Sequence, residues 1–188
     1  MTKFVIAGSV ASLSALLTMV AVRAAQDEAP EMPKPQKEHE WLQQLVGEWD
    51  SEVEMYMDPS QPPTRIKGSE SGRMIGGFWA QLENKGEFMG GPFTGILTVG
   101  YDPDKKNYVG TWVDSVSSYL WSYEGALDAA GKVLTLETKG PCHEQPGELA
   151  KFKEVIELKS KDHKVFSSVR EKDGEWVKMM TIHYRRKK

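Results

Sequence analysis

The chain has 188 residues, a length that suits one domain with a substantial core. Its 24 basic and 27 acidic residues leave a formal net charge of -3, which removes the electrostatic case for nucleic acid as a partner. A lone cysteine, Cys142, excludes an internal disulfide, so stability has to come from the core and from backbone pairing.

The first segment reads as a targeting signal. Lys3 supplies a positive start, and Phe4 to Val22 carries no charged side chain. Val22-Arg23-Ala24 then places compact residues at the two positions a signal peptidase reads. Residues 1–24 are therefore expected to be a cleaved signal peptide. The mature chain is then extracytoplasmic, periplasmic or secreted, with no membrane span left after cleavage. A retained anchor is the competing reading, because the apolar run approaches spanning length. Residues 25–37 contain Pro30, Pro33 and Pro35 and read as an extended linker, which puts the folded domain at 38–188.

The domain opens on Trp41-Leu42-Gln43-Gln44-Leu45-Val46-Gly47-Glu48-Trp49. Trp41, Leu42, Leu45 and Val46 recur at helical spacing, and Gly47 stops the helix. From Trp49 the period becomes two, with Trp49, Ser51, Val53 and Met55 on one face of a strand. Turn clusters then punctuate the chain at 58–63, Gly76-Gly77, Gly90-Gly91-Pro92, Asp102-Pro103-Asp104-Lys105, Asp128-Ala129-Ala130-Gly131, 140–147, 160–162 and 172–174. Between them lie runs with strand character. Tyr108, Gly110, Trp112 and Asp114 share one face of a strand, Tyr119, Trp121 and Tyr123 one face of the next, and Phe152, Glu154, Ile156 and Leu158 one face of a later one. About ten strands at this spacing, with one short N-terminal helix, predict an all-β fold: an up-and-down antiparallel barrel able to enclose one small ligand.

The helical turn, Gly47-x-Trp49 and the following meander resemble the lipocalin and fatty-acid-binding (calycin) barrels. That resemblance implies that Trp49 closes one end with Trp41, Leu45 and Gly47 around it, and that a basic side chain from a late strand packs on Trp49. Arg170, Arg185 and Arg186 are the candidates. A longer set of motifs is similar to the bacterial domain of unknown function numbered 1579, a lipocalin-like family. They are Leu45-x-Gly47-x-Trp49, Gly76-Gly77-Phe78-Trp79, Gly100-Tyr101-Asp102 and Tyr108-x-Gly110-x-Trp112-x-Asp114-Ser115. This resemblance implies a fold and carries no catalytic residue.

Six Trp and nine Met make the aromatic and sulfur content high. Trp79, Trp112, Trp121, Phe93 and Tyr123 are candidates for a cavity wall, and core filling is the alternative role for the same rings. Asp114 follows Trp112 inward by parity, where it orients a polar ligand group or caps the turn at Ser115. Glu154 is the second inward acid. The expected ligand site is thus Trp79, Trp112, Asp114, Trp121, Tyr123 and Glu154.

The four histidines, His39, His143, His163 and His183, form no metal-ligand spacing, and Cys142-His143-Glu144 lies in a loop without a spaced partner set. No cofactor is expected. Nitrobindin, another ten-stranded barrel, holds haem through a histidine near its C-terminus, and that likeness makes His183 the haem alternative. The functional expectation is an exported barrel binding a small, largely apolar molecule. The alternatives are a hydrolase or isomerase using Asp114 or Glu154, and a filled-core module that binds a partner.

Overall fold

The computed structural model describes residues 31–57, 60–142 and 147–188. The expected signal peptide, His143 and Glu144 lie outside them. Residues Lys34–Lys188 form one compact unit.

The helix α1 spans Lys37–Leu42. It sits earlier than the expected turn at Trp41–Val46, because the chain is capped earlier. The Gln36 backbone N–H donates to His39 Nδ1 at 2.9 Å, so the first turn starts at Lys37. The other ring nitrogen, Nε2, then carries the proton and donates to the Tyr101 carbonyl at 3.1 Å. His39 is fully buried, edge-on to Phe78 and Tyr101.

Ten strands follow: β1 (Gly47–Met55), β2 (Thr64–Ile75), β3 (Trp79–Phe88), β4 (Gly91–Asp102), β5 (Asn107–Asp114), β6 (Ser117–Leu127), β7 (Val133–Pro141), β8 (Leu149–Ser160), β9 (His163–Lys172) and β10 (Glu175–Arg186). Each pairs antiparallel with its neighbours in sequence, and β1 pairs with β10 from Trp49–Arg186 to Met55–Met180. The sheet is therefore a closed up-and-down barrel with no free edge. Short polar turns make this possible. Asp128 Oδ1 accepts from the backbone N–H groups of Lys132 and Val133, and Asp102 Oδ1 accepts from those of Asp104 and Lys105.

The turns at 76–78, 103–106, 128–132 and 161–162 share one end of the barrel with α1. Leu42 and Leu45 plug that end over Leu82, Val99, Leu134 and Leu136. The turns at 89–90, 115–116 and 173–174 lie at the opposite end, which is left open by α1. The solid core is thus one half of the interior.

The period-two rule holds along β5, β6 and β8, where Tyr108, Trp112, Trp121, Tyr123, Phe152, Glu154 and Ile156 all point inward. It breaks on β10. The register shifts between Lys178 and Met180, so Val177 pairs with inward Arg170 while Met180, Ile182 and Tyr184 line the interior beyond the bulge.

A candidate ligand cavity inside the barrel

The closed end is built around Trp49, which is 0% exposed. Gly47 starts β1 at φ +115°, a left-handed conformation that a side chain strains, and this turns the chain from the plug into the barrel. Trp49 Nε1 donates to the Leu45 carbonyl at 3.1 Å. Trp41 packs instead edge-on against Tyr108, its Nε1 donating to the Gly131 carbonyl at 2.9 Å. Of the three arginines left open by the sequence, Arg186 lies over the Trp49 ring, with its guanidinium carbon 4.0 Å from the centroid. Its Nη1 also donates to the Val46 carbonyl at 3.0 Å. Arg170 instead lines the cavity, and Arg185 is exposed on the outer face.

A second cation was not foreseen. Lys164 is 2% exposed, and its Nζ sits 4.5 Å from the Trp49 centroid. It donates to the Leu45 carbonyl at 2.8 Å and to Glu70 Oε1 at 2.5 Å. Burial pushes the Lys164 ammonium down from its ordinary value, and Glu70 opposes that shift. Above this pair, Tyr184 donates to Asn84 Oδ1 at 2.9 Å, and burial holds its phenol far above the usual range.

Beyond this floor lies a cavity of about 360 Å³, within the range of small-molecule sites. Phe93, Trp112, Trp121 and Phe152 form its aromatic wall. Both tryptophans lie flat because a glycine makes room. A Cβ at Gly95 would collide with the Trp112 ring, and one at Gly140 with the Trp121 ring. Phe93 stacks on Trp112 at 6.3 Å, and Phe152 meets Trp121 edge-on at 5.1 Å.

Asp114 lines the cavity, but both its oxygens are engaged. Oδ2 accepts from Trp112 Nε1 at 2.8 Å, and Oδ1 accepts from the Val116 backbone N–H at 2.9 Å. It therefore orients Trp112 and closes the turn. Tyr123 is buried in the wall, and burial raises its phenol well above the usual range. Glu154 is 7% exposed and accepts from Ser168 Oγ through Oε1 at 3.0 Å. Its Oε2 is buried in the lining with no hydrogen-bond partner among the described residues. Burial pushes the Glu154 carboxyl up to about 8, against a smaller opposing effect of Ser168. Arg170 is buried in the same lining, with Nη1 3.6 Å from Cys142 Sγ.

Five of the six expected site residues are thus together, and Trp79 is the correction. Trp79 is 39% exposed on the outer face of β3, laid across Gly100, while its neighbours Ala80 and Leu82 point inward. His183 likewise points out. It pairs with Glu52 on β1 and stacks on His163, with Nε2 of His163 3.4 Å from Nδ1 of His183. The residues present therefore do not fit a haem held by His183 inside the barrel. Among the described residues no group of three or more His, Cys, Asp and Glu side chains is placed to hold a metal ion. Sequence reading missed Lys164, Ser168 and Glu70. The signal for the first two is parity with Phe166 on β9, a face that carries charge among apolar positions.

The family described as "Protein of unknown function (DUF1579)" matches residues 34–186, most of the chain. The chain belongs to this family. Comparison with curated proteins found no match. Among solved structures, Rv2717c from M. tuberculosis is 12% identical, with 82% of this chain and 100% of that chain covered and a TM-score of 0.57, a likeness of fold. A redesigned beta barrel, mFAP0, bound to DFHBI, is 14% identical over 76% of this chain and 99% of that one, with a TM-score of 0.41. Another redesigned barrel, b11L5F_LGL, is 12% identical over 78% and 95%, with a TM-score of 0.43.

Proposed function

We propose that this member of the DUF1579 family binds a small, largely apolar molecule inside its barrel. The observation that carries this reading is the cavity itself: about 360 Å³, walled by Phe93, Trp112, Trp121 and Phe152 and provided with a few buried polar groups. An interior built only to be filled has no reason to hold two tryptophans flat against glycines around an open space. Acid–base chemistry by an Asp114–Glu154 pair is less well supported, because both Asp114 oxygens already accept hydrogen bonds. The signal-like pattern of residues 1–24, Lys3 followed by an uncharged run and Val22-Arg23-Ala24, supports action outside the cytoplasm, where the mature chain would start near Ala25.

Native mass spectrometry of protein purified from its own source tests the reading. The expected result is a co-purified small molecule that is lost from Trp112→Ala while the fold is kept. A purified protein that carries no ligand and quenches with no apolar fluorescent probe overturns it.

A further inference from the structure

Glu154 lies on β8 in the cavity lining, and its two oxygens differ. Oε1 accepts the Ser168 hydroxyl, while Oε2 is buried and has no partner among the described residues. With the carboxyl pushed up to about 8 by burial, it holds its proton at neutral pH. Oε1 is already the accepting side, so the proton belongs on Oε2, which becomes a buried hydrogen-bond donor in the cavity lining. A buried donor without an acceptor is a standing cost, removed when something that enters the cavity supplies an oxygen.

The charges around it bear on what that something is. Arg170 and Lys164 come from β9, Glu70 from β2, Asp114 from β5, and the phenols Tyr123 from β6 and Tyr184 from β10, while Lys67 on β2 and Lys85 and Glu87 on β3 also border the cavity. The neighbouring β7 contributes Leu136 to this lining. Lys164 is paired with Glu70, Asp114 is engaged by Trp112 and the Val116 backbone, and both phenols are held neutral by burial. A neutral Glu154 adds no charge beside an aromatic wall of Phe93, Trp112, Trp121 and Phe152. A charged ligand would give up its hydration against this largely apolar wall. We propose that Glu154 is the polar anchor of the ligand, and that the ligand is an uncharged, largely apolar molecule whose carbonyl or ether oxygen accepts a hydrogen bond from Glu154 Oε2. This rests on the reading that the cavity holds a small molecule.

The test compares four probes of one shape by calorimetry: naphthyl methyl ketone, its isopropenyl isostere, naphthyl-ethylamine and naphthoate. At about pH 6 the ketone should bind about tenfold more tightly than the isopropenyl isostere, the worth of one buried hydrogen bond. Glu154→Leu should bring that ratio to about one while keeping affinity for the isostere. Raising the pH through about 8 should abolish the ketone preference in the wild type, as Glu154 ionises. Glu154→Gln keeps a donor of nearly the same shape that does not titrate. It should retain the preference and lose its pH dependence, which separates this role from a merely structural one. Equal binding of ketone and isostere by the wild type overturns the anchor while leaving the cavity reading intact. So does tightest binding of naphthoate that survives Glu154→Leu, or of naphthyl-ethylamine. If none of the four binds, the cavity reading fails as well.

Discussion

The Arg186 guanidinium lies 4.0 Å from the centroid of the Trp49 ring, at the first pair of the β1–β10 seam. This contact joins the first and last strands of the barrel beside the plug. Lys164 approaches the same ring at 4.5 Å, so two cations pack against one indole in a buried setting.

Removing the ring should be severe. Trp49→Ala should cost roughly 3–5 kcal/mol, the range for deleting a large core aromatic. Arg186→Ala should cost about 1–3 kcal/mol, since a cation–π contact and the bond to the Val46 carbonyl go together. Urea unfolding with both variants measures this. A loss below about 1 kcal/mol for Trp49→Ala would mean that the plug is not part of the cooperative unit.

The Lys164–Glu70 pair should behave as a unit. Glu70→Leu leaves a buried ammonium without its counter-charge and should cost roughly 3–5 kcal/mol. Adding Lys164→Met should restore most of that loss, since Leu45 still accepts a bond from Trp49 Nε1. A double-mutant cycle in urea reads the coupling directly. Additive losses would rule out the coupling.

Gly140 is where the aromatic wall depends on a missing side chain. Gly140→Ala puts a methyl group into the Trp121 ring. It should cost about 1–3 kcal/mol by overpacking and should shift tryptophan emission as the ring is displaced. An unchanged emission maximum and an unchanged melting temperature would show that the wall can yield.

Glu154 should make stability fall as pH rises. Its carboxyl is raised from 4.5 to about 8 in the folded chain, chiefly by burial. Between these values the folded chain keeps a proton that the unfolded chain has released. The favourable contribution is therefore complete at low pH, declines across this window and is gone above about 8. Against Glu154→Gln, the ligand-free wild type should lose roughly 2–5 kcal/mol of relative stability between about pH 5 and about pH 9. Parallel stability–pH curves for the two proteins would contradict a buried, protonated Glu154.

The turn chemistry and the period of two were enough to place ten strands, because both are local properties of the backbone. They also put Trp112, Asp114, Trp121, Tyr123 and Glu154 on common faces, since side chains on a strand alternate whatever surrounds it. Which face turns inward is a different matter. On β3 the largest ring, Trp79, lies outside because Gly100 on β4 offers it a slot, while small Ala80 and Leu82 fill the interior. On β10 a bulge reverses the parity halfway, so a single alternating reading of Val177 to Tyr184 cannot be right along its whole length. On β9 the sequence shows Lys164 as an ordinary surface charge. Only closure of the barrel brings Glu70 against Lys164 across the plugged end, and only then can a lysine be buried. The space beside Glu154 is likewise a property of the whole barrel. It is what remains when strands distant in sequence meet, and no local pattern encodes it.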